Sequence, residues 1–158
     1  MPVAALVGDR ILCMHGGLSP KLRSLDQLRA ISRPDEPTPV SLQLDLLWSD
    51  PDPSVDMWSP SPRGISWVFG PAQVRAACQM LNIDLVVVQD GFEFFADRRL
   101  VTLFSAPCYC GQFNNSAGIM VVDEHLDVSF IVLEPSLPAK SGPLPIKEKK
   151  NDSDPDVV

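Results

Sequence analysis

One helix set between strand pairs constrains this chain more than any other feature. "PAQVRAACQMLN", residues 71 to 82, has proline where a helix can start and asparagine where one can stop. Val74, Ala77, Cys78 and Leu81 fall on one face at helical spacing. On both sides the pattern is that of short strands. "VAALVGDRILCM" reads as a hairpin around Gly8-Asp9, and "IDLVVVQDGFEFF" as a strand, an Asp90-Gly91 turn and a strand. "LVTLFSAP" predicts a strand entering the loop "CYCGQFNNSAG", and "GIMVVDEHLDVSFIVLEP" a strand pair around residues 123–126. Short turns of this kind favour antiparallel pairing. The chain is therefore expected to mix α and β.

Other segments fill in the outline. "SLDQLRAI" predicts a short helix, with Ser24 and Gln27 forming a capping box and Leu25, Leu28 and Ile31 on its apolar face. "RPDEPTPVS" reads as a loop. "LQLDLLWSDPDPSVDMWSPSPRG" reads as a short apolar segment followed by a long proline-rich loop, a length usual for loops that are functional or disordered. From Pro135 the chain turns poor in large apolar residues and rich in proline and charge, so a disordered tail is expected over 136–158.

A length of 158 residues suits one domain with a real core. The net charge of −7 argues against a nucleic-acid partner. No apolar run has the length of a membrane span, and "MPVAALVGDR" does not read as a signal peptide. A cytoplasmic or nuclear location is the expectation, with Cys13, Cys78, Cys108 and Cys110 as reduced thiols.

Three residues stand at places suited to chemistry. His15 ends an apolar run and is followed by two glycines. It can be a strand-end residue bonded to a neighbouring carbonyl, or a metal ligand beside glycines that admit a metal-bound substrate. Arg63 ends the long loop, and its planar fork suits phosphate oxygens as well as it suits water. Tyr109 lies on a loop leaving a strand end, as a packed aromatic or a binding residue.

Taken together, "HGGLSP", "DLLWSDP", "RGISWVFG", "DGFEFFADRRLVTLFSAPCYCGQFNN" and "VVDEHLDVSFIVLEP" come in the order and near the spacing of the phosphoprotein phosphatases. Over about residues 2–135 the chain resembles the C-terminal half of a serine/threonine protein phosphatase of the type 1 kind. The resemblance implies an α/β fold, a partial metallophosphoesterase β-sandwich with flanking helices and without its N-terminal half. It implies a domain part at 1–135 before the tail. It also implies a centre of two divalent metals (manganese, iron or zinc) that activates water for in-line attack on phosphoserine or phosphothreonine. By motif, His15 matches a metal ligand and Arg63 a phosphate-binding arginine. Tyr109 and Cys110 match the rim of the site, Trp48 and Ile65 a hydrophobic groove, and Asp50 and Asp52 an acidic one. Ile11, Asp84, Leu85, Phe94, Leu126, Val128 and Phe130 resemble the lining of a groove for Val-x-Phe-type motifs of regulatory subunits. As bare sequence, these last positions also read as strand core. Phosphoprotein substrates and regulatory subunits are the partners implied.

The departures matter as much. The family's Gly-Asp-x-His-Gly, Gly-Asp-x-Val-Asp-Arg-Gly and Gly-Asn-His-Glu motifs, which carry most metal ligands and the catalytic histidine, do not occur in this sequence. Where the family has an Arg-Ala-His-Gln stretch with a further ligand, this chain runs "DLVVVQDG", about five residues shorter by alignment of the motifs. His125, in "DEHLD", matches no ligand and is expected to be a solvated turn residue. The 158 residues alone are therefore expected to hydrolyse phosphoesters no better than background. The alternatives are a non-catalytic module that binds regulatory subunits, or an inactive fragment.

Overall fold

The computed structural model describes residues 2–32, 36–88, 92–135 and 146–149. They fall into two units, residues 1–89 with 93–102, and residues 90–92 with 103–158.

The first unit is built on a five-stranded sheet. β1 (Ala4–Val7) and β2 (Ile11–Met14) form the expected hairpin. Gly8 and Asp9 both take positive φ, and the Arg10 N–H closes the turn on the Val7 carbonyl at 3.1 Å. β6 (Leu85–Val88), β7 (Phe92–Phe95) and β8 (Leu100–Leu103) complete the sheet in the order β1-β2-β6-β8-β7. Here the expectation of hairpins needs correction. β6 pairs in parallel with β2 and with β8, Ile11 opposite Leu85 and Val86 opposite Leu100, and β8 lies between β6 and β7. The physical reason is in "LVVV": all four residues of β6 are buried, as a central strand covered on both faces must be.

The helix expected over residues 71–82 is present. α3 (Pro71–Leu81) starts on Pro71, stops at Asn82 in the left-handed conformation, and buries Val74, Ala77, Cys78 and Leu81. Its face joins Leu12, Val86 and Leu100 in one core. α1 (Leu25–Arg29) forms where expected, and Gln27 Oε1 accepts the Ser24 N–H at 3.0 Å.

The stretch after it differs from the expectation. "LQLDLLW" is a helix, α2 (Leu42–Trp48), capped by Ser41 Oγ, which accepts the Leu44 N–H at 3.1 Å. The proline-rich segment also holds structure. β3 (Asp50–Pro51), β4 (Trp58–Pro60) and β5 (Trp67–Phe69) make a small sheet in the order β3-β5-β4. Its strands are two or three residues long, below what alternation can reveal.

In the second unit, β9 (Ala117–Val122) and β10 (Val128–Leu133) pair antiparallel as expected. Asp123 Oδ1 organises their turn by accepting the N–H groups of His125 and Asp127 at 2.8 and 2.9 Å. β11 (Ile146–Lys149) pairs antiparallel with β10. It is the described part of the segment for which a disordered tail was expected; residues 136–145 and 150–158 lie outside the described residues, as does the Asp90-Gly91 turn.

Two contacts fix the ends of β2. At its start, Arg10 forks onto Asp84, Nε to Oδ2 at 2.6 Å and Nη2 to Oδ1 at 2.5 Å. At its end, the chain turns through Gly16, whose N–H donates to the Leu46 carbonyl at 2.8 Å. A side chain at Gly16 would collide with the backbone of Leu47 and Trp48, and one at Gly17 with the Phe69 ring. The glycines after His15 thus serve close packing, Gly16 on α2 and Gly17 on the Phe69 ring of β5.

Two outcomes follow from these contacts. Gly16→Ala is expected to cost about 1–3 kcal/mol in urea denaturation, because backbone has to move to make room. The Arg10 hydrogen bond holds the Asp84 carboxyl below its ordinary value. Its stabilisation is therefore present above the unfolded carboxylate value of about 4 and is lost as pH falls through the lowered folded value. The stability difference between wild type and Asp84→Asn should be level from about pH 5 to 8 and shrink below about pH 4.

Candidate functional site

The site residues of the first unit lie on two loops and the helix between them. His15 follows β2 and is exposed, and among the described residues it makes no hydrogen bond or ion pair. Its ring is therefore not committed to the neighbouring carbonyl that the alternative reading required. The segment after it runs inward. Leu18 and Ser19 are buried, at 1% and 4% exposure.

Arg63 sits on a loop closed upon itself. The Ser61 N–H donates to the Ser66 carbonyl at 3.1 Å, the Gly64 N–H to the Ser61 carbonyl at 3.0 Å, and the Arg63 N–H to Ser61 Oγ at 3.3 Å. The Arg63 guanidinium meets Asp50 as a fork, Nη2 to Oδ1 and Nε to Oδ2, both at 3.2 Å. The structure thus brings together two residues the motifs singled out separately. The fork orients the guanidinium, and its remaining N–H donors can face an anion. Half of the arginine side chain stays accessible, at 57%.

The other acidic residue, Asp52, turns to its own loop. Its carboxylate accepts the Ser54 hydroxyl at 2.6 Å and the Ser54 N–H at 2.8 Å, and these bonds hold it below the usual carboxylate range. Trp48, at the end of α2, is exposed, and Ile65 is half-buried.

Sequence reasoning missed the residue that joins the two loops. Asp45 of α2 is 1% exposed. Ser19 Oγ, from the His15 segment, donates to its Oδ2 at 2.6 Å, and Ser66 Oγ, from the Arg63 loop, to its Oδ1 at 2.8 Å. Lys21 Nζ stands 3.7 Å from Oδ2 and supplies the opposite charge that a buried carboxylate needs. The one available signal was a single acidic residue inside the apolar run "LQLDLLW".

In the second unit, Tyr109 and Cys110 are exposed on a 3₁₀ turn, Tyr109–Gly111. The Tyr109 ring packs edge-on against Phe104, with centroids 5.0 Å apart. Cys108 and Cys110 both adopt positive φ. Asn115, also missed, holds the turn: its Oδ1 accepts the Tyr109 N–H at 2.9 Å and its Nδ2 donates to the Ala106 carbonyl at 2.8 Å. All four cysteines are free thiols. His125 is exposed, 3.7 Å from Glu124, in keeping with a solvated turn residue.

The residues compared with a regulatory groove divide by burial. Ile11, Leu85 and Phe130 are core, at 2%, 7% and 5% exposure. Asp84 is exposed and engaged by Arg10, while Phe94, Leu126 and Val128 are half-buried. Arg98 lies 4.7 Å over the Phe94 ring. The strand-core reading holds for the first three.

Whether these residues fit a metal centre is a question of donor chemistry. Among the described residues His15 offers an imidazole without a hydrogen bond or ion pair, at a strand end. The carboxylates of Asp45 and Asp50 are engaged by serines, lysine and arginine. Among the described residues no three His, Cys, Asp or Glu side chains come together. Among the described residues His15 fits one ligand position of such a centre.

The fold and its loops have counterparts in known proteins. Residues 1–88 match the calcineurin-like phosphoesterase family. The chain is 54% identical to the serine/threonine-protein phosphatase PP1-delta of Caenorhabditis elegans, over 86% of this chain and 46% of that protein. It resembles the structure of a protein serine/threonine phosphatase from Saccharomyces cerevisiae described as similar to human phosphatase PP5. The TM-score is 0.68 at 25% identity, covering 98% of this chain and 49% of that one. The chain thus spans about half the length of these relatives. The motif order, the mixed α/β fold and these likenesses to serine/threonine protein phosphatases agree: the chain belongs to the calcineurin-like phosphoesterase family.

Proposed function

We propose that these residues supply a phosphate-binding arginine and one metal ligand to a phosphatase site acting on phosphoserine or phosphothreonine in proteins. The observation that carries the reading is Arg63, forked on Asp50 at 3.2 Å and presented from a loop closed by its own hydrogen bonds. A guanidinium held this way binds a phosphate dianion without first ordering a mobile side chain. His15, exposed and free of partners among the described residues, is the ligand. Two divalent metals, of the manganese, iron or zinc type, would supply the activated water in the family's chemistry. Among the described residues one imidazole is free for that role, and one imidazole cannot retain a divalent ion against water.

The partners proposed follow from this reading. The acidic net charge and the likeness to protein phosphatases support phosphoprotein substrates over nucleic acid, in the cytoplasm or nucleus. No helix among the described residues is long and apolar enough to cross a membrane. Recognition of regulatory subunits through Val-x-Phe-type motifs belongs to the proposal through the exposed Asp84 and the half-buried Phe94, Leu126 and Val128.

One assay tests the core of it. A phosphoserine peptide titrated into the purified chain should bind about tenfold more weakly to Arg63→Ala, a loss of about 1.4 kcal/mol. With manganese present, turnover of that peptide should stay at background. Equal binding by Arg63→Ala, or turnover abolished by His15→Ala, would overturn the respective part of the reading.

A further inference from the structure

We propose that Asp45 is a positioning residue that sets the placement of His15 and Arg63 relative to each other, an inference that rests on the functional reading above. A carboxylate is planar and rigid, and its two oxygens here face different loops. Oδ2 takes the Ser19 hydroxyl, four residues beyond His15, and Oδ1 takes the Ser66 hydroxyl, three residues beyond Arg63. With the side chain 1% exposed, water does not compete for either oxygen.

From each oxygen a short path leads to a site residue. On one side Ser66 accepts the Ser61 N–H through its carbonyl, and Ser61 Oγ accepts the Arg63 N–H. Ser66 itself holds positive φ, a conformation a serine keeps only when its surroundings enforce it. On the other side, Leu46, next to Asp45 in α2, accepts the Gly16 N–H at 2.8 Å directly after His15. Lys21 reinforces this side. Its N–H donates to Ser19 Oγ at 3.1 Å and its Nζ to the Val40 carbonyl at 2.6 Å. An anion gripped by Arg63 and a ligand held by His15 must sit at a fixed separation to react, and a misplacement on the order of 1 Å costs roughly a hundredfold in rate. Asp45 touches neither group, so its action is through the two serines.

The test uses the full chain with Asp45→Asn, Ser19→Ala and Ser66→Ala, and reads the His15 ring and Arg63 Nε–H resonances by NMR together with phosphate affinity. Asp45→Asn should displace both sets of resonances and weaken inorganic phosphate binding about tenfold. Ser66→Ala should displace chiefly the Arg63 signal, and Ser19→Ala chiefly the His15 signal. A lowered melting temperature with wild-type resonances and wild-type phosphate affinity would make Asp45 a stabilising group only and overturn the inference. If Asp45→Asn does not fold, the two serine variants decide, since unshifted signals in both equally overturn it. Wild-type chain that binds no phosphate through Arg63 would instead overturn the functional reading, and the resonances would still decide the role of Asp45.

Discussion

A carboxylate excluded from water must find a partner for each oxygen and a charge to offset its own, or its burial is strongly unfavourable. Asp45 meets both demands with Ser19, Ser66 and Lys21, and the fold around the site follows from that. These three partners come from segments before and after α2. The helix therefore forms, although it has only seven residues and no length from which to draw stability of its own. The His15 turn packs on its C-terminal end so closely that only glycine fits at 16. The small sheet β3-β5-β4 then carries the chain from α2 to Arg63 and back.

Around this network the large sheet supplies rigidity. β6 is buried along its whole length between β2 and β8, and α3 covers it with an apolar face. β2 leaves that sheet at Met14 and delivers His15 at a strand end, where catalytic and binding residues are commonly placed by a rigid scaffold. The Arg10 and Asp84 pair holds the opposite end of the same strand against the start of β6. His15 is thus exposed on its own account, yet both neighbours in sequence are fixed, by the strand before it and by Gly16 after it.

What the sequence made legible was local. The α3 helix, the β1-β2 hairpin and the β9-β10 hairpin were readable because a cap, a glycine turn or a short apolar alternation lies within a few residues. The parallel pairing of β6 was not, since strands 74 residues apart at Ile11 and Leu85 are matched by the core and not by any turn. α2 was hidden because it lacks the Ser-x-x-Gln capping box that marks the shorter α1, and β3, β4 and β5 by their two or three residues each. The site followed the same rule. His15, Arg63 and Tyr109 could be named from motifs, whereas Asp45 acts through long-range hydrogen bonds and Asn115 through bonds within an irregular loop, which no spacing announces. The glycines after His15 were visible in the sequence, whereas what they pack against, α2 for Gly16 and the Phe69 ring for Gly17, was not.

If Asp45 joins the two loops into one cooperative element, amide hydrogen exchange must show it. The Gly16 N–H, bonded to Leu46, and the Ser61 N–H, bonded to Ser66, lie on either side of the carboxylate. They are predicted to open together, with the same opening free energy as the Ser49 N–H at the end of α2. A Ser61 amide that exchanges at the rate of a free loop, while Gly16 and Ser49 remain protected, would contradict the account.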